Sequence, residues 1–346
     1  MIWRCPVCRG ELQQEYANEL RCSSCAHTYE SVAGIPDLRV NAPGWLDCDA
    51  DRAQARWIVD HLADSPLEDV VRHVFLEVRG HNDANVDRLT RRVTDAPQRL
   101  RREIVGWLND ATAGAPFLDL GCGPGMLLAA AARDGRTGVG IDVSMVWLVV
   151  AQRLILAHGG TPVLAAGFAE SLPLADGAVK AVVSLDVIEH VGDQVKYVQE
   201  IDRVTGLEGR IALSTPNRYS LAAEPHVHVW GVGWLPRRWQ RQYAEWRSGI
   251  SYAFTRLLST GEARRLLEKN TRFDVQFLVP AIPEEDIAIA APRRAALARA
   301  YNRVIRFGMT RHAALLVGAF YQVAGRKLAP RVSRAGAAST ILLTLS

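Results

Sequence analysis

A loop of alternating glycines is the first feature of this sequence that could do chemistry. It contains Gly121, Gly123 and Gly125 and follows Asp119. Glycine lets a backbone approach a ligand and make turns that a side chain would block, as in nucleotide-type sites between a strand and a helix. The dinucleotide fingerprint Gly-x-Gly-x-x-Gly would need a glycine where Met126 stands, so the loop does not indicate NAD binding.

A second acidic residue follows the loop at the spacing of a ribose ligand. Asp142 ends the next apolar segment after the loop, and Val143 follows it. A carboxylate at the end of the second strand of such a unit can accept hydrogen bonds from both ribose hydroxyls. We therefore expect the glycine loop, Asp142 and Val143 to line one site for a ribose-containing cofactor.

Further along the chain, polar residues follow a fourth apolar segment in the box Asp186-Val187-Ile188-Glu189-His190. In an open parallel sheet, ligands bind at the carboxyl ends of the strands, so these side chains should border the reacting groups.

Two histidines lie downstream of this box, in a segment that begins at Glu224. If that segment is extended, Glu224, His226 and His228 point to the same face. One of the histidines can then act as a general base that removes the proton of a substrate hydroxyl.

Alternatively, the carboxylates and imidazoles can bind a divalent cation, which would lower the pKa of a coordinated hydroxyl. The candidate ligands are Asp186, Glu189, His190 and one of His226 or His228. A third interpretation gives the box only a structural role, in which it shapes a loop and caps the next helix.

Four cysteines near the N-terminus form two Cys-x-x-Cys pairs, Cys5 with Cys8 and Cys22 with Cys25. This spacing places four thiolates within reach of one tetrahedral zinc ion. So short a segment has little core of its own, so we expect the metal to supply folding energy.

These residues need elements that position them. From Phe117 onward, apolar strands alternate with helices, which predicts an α/β fold with a doubly wound, mostly parallel sheet. The predicted strands are 117–120, 137–141, 162–165, 178–185, 210–214, 273–280 and 320–326. Predicted helices before this region are 49–63, 67–78 and 85–110, and a basic helical stretch covers 292–309.

With these residues in place, segment 117–215 resembles the class I S-adenosylmethionine (SAM)-dependent methyltransferases, which have a Rossmann-like seven-stranded sheet with helices on both faces. The resemblance implies that Asp119 and the glycine loop hold the methionine part of SAM, and that Asp142 holds the ribose. Leu185 would border the methionine end. In the next family segment Phe168 replaces an Asp, so the adenine would contact Phe168 and the backbone of Ala169.

The box and the downstream histidines resemble two groups of metal-assisted O-methyltransferases, the ubiquinone-biosynthesis type and the small-RNA 3′-end type. Asp186 stands where the second group has Glu, which shortens the reach of that ligand. The cysteine module resembles zinc ribbons that precede some RNA methyltransferases and is related to a tRNA methyltransferase activator protein. Residues 1–40 contain more acidic than basic side chains, however, so we favour a structural or substrate-lid role over RNA binding.

Composition limits the remaining possibilities. The chain has 346 residues and a net charge of +4, which gives no support to a large nucleic-acid footprint. We see neither a signal peptide nor an apolar run long enough to span a membrane, so we expect a cytoplasmic protein. The expected divisions are a zinc ribbon (1–40), a helical connector (41–112), a methyltransferase domain (113–330) with a substrate-covering insertion (217–258), and a tail (331–346).

The expected reaction is transfer of the SAM methyl group to an oxygen of a small molecule, such as a sugar, a phenol or a lipid-linked intermediate. Two alternatives remain: an RNA methyltransferase, and a non-catalytic protein that binds SAM or activates a partner. The arginines of 292–309 leave peripheral contact with an anionic membrane as a further alternative.

Overall fold

The computed structural model describes residues 2–99, 115–282, 284, 287 and 292–329. Its centre is a seven-stranded sheet, preceded by a small four-stranded sheet. The small sheet contains β1 (Leu12–Tyr16), β2 (Glu19–Cys22), β3 (Thr28–Val32) and β4 (Ile35–Pro36). The central sheet contains β5 (Phe117–Leu120), β6 (Gly138–Asp142), β7 (Leu164–Ala166), β8 (Val179–Leu185), β9 (Thr205–Pro216), β10 (Phe273–Leu278) and β11 (Phe320–Lys327).

Helices cover both faces of this sheet. They are α1 (Cys48–His61), α2 (Leu67–His73), α3 (Asp83–Thr94), α4 (Ala96–Arg99), α5 (Met126–Ala132), α6 (Met145–Ala157), α7 (Gln194–Val204), α8 (Arg237–Ser248), α9 (Thr260–Asn270), α10 (Pro292–Val304) and α11 (Gly308–Val317). Among the described residues, no helix combines the length and apolar character that crossing a lipid bilayer requires.

The strand order places the expected site at a crevice. The order is β10-β11-β9-β8-β5-β6-β7, and only β11 runs antiparallel to its neighbours. The chain begins this sheet at β5, builds outward to β7, and then returns to the other side of β5 with β8. Such a reversal of strand order opens a ligand crevice at the carboxyl ends of the strands. The predicted seven-stranded, mostly parallel fold is confirmed.

Local sequence explains why these elements form. All four residues of β5 are buried, as expected for a parallel strand covered on both faces. The Ser144 side chain caps α6 by accepting a hydrogen bond from the Trp147 backbone. At α9, Ser259 and Glu262 form a reciprocal capping box.

Several predicted boundaries are wrong. The helix expected over 85–110 is interrupted at Asp95, between α3 and α4, and the part of it beyond Arg99 lies outside the described residues. The bounds of the helix predicted over 67–78 are correct, although it is α2 followed by a π-helical turn, Val74–Val78. The basic helix ends at Val304, and α11 begins four residues later. The expected tail, 331–346, also lies outside the described residues.

The N-terminal module packs directly on the central sheet. Its buried residues Trp3, Leu12 and Tyr29 belong to the same hydrophobic cluster as Leu118 and Ile141 of the sheet. The module therefore does not depend on a core of its own.

A buried guanidinium ties the module to strand β6. The Arg39 side chain is fully buried and makes two hydrogen bonds with Asp37, at 2.6 and 2.7 Å. It also contacts Asp51 of α1 at 2.7 Å and the Val143 carbonyl oxygen at 2.8 Å. Asp51 in turn accepts a hydrogen bond from the Met145 backbone at 2.7 Å. Three segments distant in sequence are thus joined at the end of β6.

Removing this guanidinium should destabilise the protein strongly. In Arg39→Met, the largely buried Asp51 loses its cation and Asp37 keeps only Arg52, at 2.7 Å. Breaking a buried pair in this way costs about 3–5 kcal/mol. We expect that loss in the free energy of unfolding, measured by urea titration. The control is Arg56→Met, which removes a solvent-exposed pair with Glu30 and should cost less than about 1 kcal/mol. Equal stability of the two variants would contradict the assignment.

Candidate active site

One cavity of about 790 Å³ opens at the carboxyl ends of β5, β6 and β8. Its size suits a small-molecule site. Its walls join residues of the glycine loop, of the Asp186–His190 box and of the N-terminal module. They include Pro6, Val7, Asn41, Pro43, Trp45, Gly121, Asp142, Val143, Phe168, Ala169, Ser171, Leu185, Asp186, His190 and Phe254.

The glycines of the loop serve different purposes. At Gly125 a Cβ atom would lie 2.7 Å from Cβ of Ala151, so this glycine allows α5 to pack closely against α6. Gly123 has a φ of +48° and nothing within 4 Å of a Cβ position. Its backbone is therefore open for a ligand to approach. Of the three predicted glycines, only Gly121 lines the cavity.

Two buried acids lie beside the loop. Burial, followed by the charge of Asp142, raises the pKa of Asp119 to about 8. Burial also raises the pKa of Asp142, although hydrogen bonds from the Ser144 and Gly123 backbones, both at 2.8 Å, oppose the shift. Both carboxylates would be stabilised by a positively charged ligand or by hydroxyl donors.

The remaining predicted cofactor residues lie together. Val143, Phe168, Ala169 and Leu185 all line the cavity. Phe168 and Ala169 are buried and apolar, so this part of the wall suits a flat, weakly polar ring. Their contact with adenine stays a prediction.

Glu189 is a buried carboxylate, and only one of its two oxygens accepts a hydrogen bond. Its Oε2 atom accepts a hydrogen bond from the Thr215 hydroxyl at 2.9 Å, whereas Oε1 is buried without a hydrogen-bond partner. Burial raises the pKa of Glu189 to about 7. An unpartnered buried oxygen indicates a missing donor or cation.

Two histidine rings meet beside Glu189. The rings of His190 and His226 are perpendicular, with centroids 4.7 Å apart, and Nδ1 of His226 lies 2.5 Å from Oε1 of Glu224. Burial and the neighbouring His226 lower the pKa of His190. Burial alone would lower the pKa of His226 too, but the hydrogen bond with Glu224 raises it. His190 therefore tends to be neutral, whereas His226 binds a proton more readily.

The expected extended segment after Glu224 is wrong. The chain turns instead, because the His228 backbone N–H bonds the Glu224 carbonyl oxygen at 2.8 Å and His228 has a φ of +55°. As a result His228 is exposed to solvent. Asp186 also differs from the expectation, since its carboxylate accepts a hydrogen bond from the Ser214 hydroxyl at 2.8 Å.

Three of the predicted ligands could hold a cation. Among the described residues, ligand atoms of Glu189, His190 and His226 lie within 4.8 Å of one another, without Asp186 or His228. The Glu224 carboxylate behind His226 is the type of partner that orients a metal-bound imidazole, and it would equally orient a general base. The geometry therefore accommodates both chemistries that the sequence suggested.

The four N-terminal cysteines converge. Their sulfur atoms lie within 4.8 Å of one another, with Cys5 and Cys25 at 3.7 Å and Cys8 and Cys22 at 3.4 Å. In a tetrahedral zinc site with Zn–S bonds of about 2.3 Å, neighbouring sulfurs are about 3.8 Å apart. These residues could therefore hold one zinc ion.

Sequence reasoning missed part of the cavity wall. Trp45 and Phe254 face each other with ring centroids 5.8 Å apart, and Pro6 and Val7 lie on another side. No local pattern marks these residues, because each enters the wall through tertiary packing. Glu224 was noticed only as a neighbour of the histidines, although the spacing Glu-x-His was visible.

The pKa of Asp119 predicts a pH-dependent stability. Because its pKa is raised from 3.8 to about 8, the folded ligand-free protein binds a proton that the unfolded chain releases. Stability therefore falls as pH rises between these values, by at most about 1.4 kcal/mol per pH unit from this group. In Asp119→Asn we expect this part of the slope to disappear when unfolding is measured from pH 5 to pH 8. Parallel profiles for the two proteins would refute the assignment.

A comparison with protein families matches the part of the chain that contains the glycine loop. A family model described as a methyltransferase domain matches residues 118–213. The chain is 33% identical over 135 residues to a ubiquinone biosynthesis O-methyltransferase from Azorhizobium caulinodans, covering 37% of this chain and 53% of that protein. A protein of the same name from Paracidovorax citrulli is 35% identical over 145 residues, covering 38% of this chain and 58% of its own length. The chain thus spans about half the length of these curated relatives.

Among solved structures, a SAM-dependent methyltransferase from Mesorhizobium loti overlaps 67% of this chain and 98% of its own, at 17% identity and a TM-score of 0.45. The family match covers the glycine loop and nearly all of strands β5 to β9. Residues 118–213 of this chain therefore match a methyltransferase domain.

Proposed function

We propose that the protein is an enzyme that transfers the methyl group of SAM to a hydroxyl oxygen of a small biosynthetic molecule. The observation that carries this proposal is a single cavity whose walls include the glycine loop, Asp142 and His190. Donor and acceptor can then lie side by side, and such positioning supplies much of the rate of a two-substrate reaction. SAM supplies an electrophilic methyl group on a positively charged sulfur.

In this proposal the chain holds the donor through its buried acids. Asp142 accepts hydrogen bonds from the ribose hydroxyls, Asp119 attracts the positively charged methionine end, and Phe168 and Ala169 contact the adenine. The raised pKa values of both acids support these roles, because a cationic or hydroxyl-bearing ligand would offset their burial.

His190 is the proposed general base. It lines the cavity, keeps contact with solvent, and has a lowered pKa, so its ring is neutral and able to accept a proton near pH 7. His226, held by Glu224, positions the His190 ring edge-on and provides a second proton acceptor behind it.

Substitution of the two rings tests this proposal. We expect His190→Ala to lower kcat about 100-fold or more, since general bases contribute at least this much. His226→Ala should also lower kcat, whereas SAM affinity, measured by calorimetry, should stay near the wild-type value in both variants. The matched control is His228→Ala, two residues from His226 but exposed, which should retain full turnover. Full turnover in His190→Ala and His226→Ala would overturn the base assignment.

A divalent cation at Glu189, His190 and His226 is the second candidate, and the unpartnered Oε1 atom of Glu189 favours it. A cation there would lower the pKa of an acceptor hydroxyl. The chain would supply one carboxylate and two imidazoles, with Glu224 orienting one of them. The positions of the Asp186 and His228 side chains do not support the expectation that either is a further ligand.

We further propose that Cys5, Cys8, Cys22 and Cys25 bind a structural zinc ion, on the basis of their sulfur separations. Metal analysis of the purified protein should then give about one zinc per chain, the content of a single four-cysteine site. Cys8→Ser combined with Cys25→Ser should remove it.

If the general base acts alone, turnover needs no metal other than this zinc. Activity that is lost in a mild chelator and restored by Mg²⁺ or Mn²⁺, with zinc retained, would instead favour the cation at Glu189.

The acceptor is proposed to present an apolar or aromatic face beside its hydroxyl. Trp45 and Phe254 bound the cavity, and the backbone of Phe254 is hydrogen-bonded to His190. The same walls suit an RNA backbone less well, because a nucleic-acid groove requires many basic side chains. Contact with an anionic membrane stays a prediction.

A further inference from the structure

The N-terminal module contributes directly to the cavity expected to hold SAM. Pro6 and Val7, the two residues between the first pair of cysteines, lie on its wall. Val7 is apolar yet 56% exposed. An exposed valine on a cavity wall is the type of surface that a bound ligand covers.

Pro6 and the nearby Arg4 are bonded to the loop that follows β7. The Ser171 hydroxyl donates a hydrogen bond to the Pro6 carbonyl oxygen at 3.1 Å, and the Arg4 backbone N–H bonds the Pro173 carbonyl oxygen at 2.9 Å. This loop begins with Phe168 and Ala169, which line the cavity. A shift of Pro6 would therefore also displace the loop, through the hydrogen bond from Ser171.

An ion pair holds this contact from the opposite side. Arg9 contacts Oε1 of Glu200 at 3.2 Å, and Oε2 of Glu200 accepts a hydrogen bond from the Leu172 backbone at 2.7 Å. The loop thus lies between the cysteine module and α7, and it is bonded to both. A change in the module can therefore reach the loop through these direct contacts, without a longer chain of residues.

The segment after the module closes another side of the cavity. Asn41, Pro43 and Trp45 line it, and Arg39 bonds the Val143 carbonyl oxygen at 2.8 Å. Residues of the first 45 positions therefore border the cavity next to both Phe168 and Asp142. In such an arrangement a ligand in the cavity touches the module itself.

We propose that metal binding at the four cysteines and SAM binding in the cavity are coupled, each strengthening the other. The proposal rests on the proposed binding of SAM and zinc. The metal fixes the positions of Cys5 and Cys8, and hence of Pro6 and Val7 between them. A ligand in contact with Val7 favours the same arrangement of the module. Coupling of two binding equilibria is reciprocal, so the effect must appear from either side.

The exposure of the cysteines makes this measurable. Cys5 and Cys22 are buried, whereas Cys8 and Cys25 are exposed, so a chelator can reach the ion from one side. We would measure zinc loss from the full chain to a chromophoric chelator, with and without saturating S-adenosylhomocysteine. We expect the ligand to slow zinc loss about fivefold or more, and zinc-loaded protein to bind the ligand more tightly by a similar factor.

Variants of the wall separate this coupling from a purely structural effect. Val7→Asp places a charge on the apolar wall and should weaken S-adenosylhomocysteine binding about tenfold while zinc content stays that of the wild type. Val7→Ala, which cannot disturb folding through charge, should reduce the effect of the ligand on zinc loss. The matched control is Tyr16→Ala, an exposed residue at the end of β1 away from the cavity, which should change neither quantity.

The outcomes are distinguishable. If S-adenosylhomocysteine binds normally but zinc loss is unaffected, the coupling is overturned and the proposed methyltransferase function stands. If Val7→Asp and Tyr16→Ala bind the ligand equally well, Val7 is not part of the ligand wall and the coupling is likewise overturned. If zinc-loaded wild type fails to bind the ligand at all, the proposed function itself fails.

Discussion

The buried guanidinium of Arg39 is the interaction on which the arrangement of this site depends. It holds Asp37 next to the cysteine module, Asp51 on α1 and the backbone after β6 in one cluster. A buried charge of this kind is tolerated only when every hydrogen-bond donor finds a partner, so the three segments have little freedom to move apart. The end of β6, where Asp142 lies, is thereby fixed from outside the sheet as well as within it.

Burial of negative charge is the second constraint. Asp119, Asp142 and Glu189 all lie near the carboxyl edge of the sheet, and burial raises the pKa of each. Burial in the apolar core is the main cause for each acid, and the charge of Asp142 adds to the shift at Asp119. Positive charge or hydroxyl donors beside these carboxylates would offset the cost of their burial.

The fold and the loop could be predicted because they follow from local pattern. Buried strands such as Val179–Leu185 are mostly apolar, and the alternation of strands with helices allows few topologies. The sequence did not predict which downstream histidine contacts His190. That contact depends on the turn after Glu224, which leaves His226 partly buried and His228 exposed to solvent. The contact between Arg39 and Val143 joins residues 104 positions apart, and no periodic pattern in the sequence predicts it. Prediction from the sequence therefore fails for residues that act through contacts with distant segments, because such contacts leave no local pattern.

The position of β11 has a consequence for how the protein is made. This strand, Phe320–Lys327, is the last described strand in the chain, yet it lies between β9 and β10. Until the ribosome has released it, β9 presents an open edge and β10 has no neighbour within the sheet. An open edge can pair with another chain, so the nascent protein must remain protected from its copies until β11 has been synthesised. When β11 arrives, the Lys327 amine closes this side of the sheet by donating a hydrogen bond to the Thr205 carbonyl oxygen at 2.6 Å.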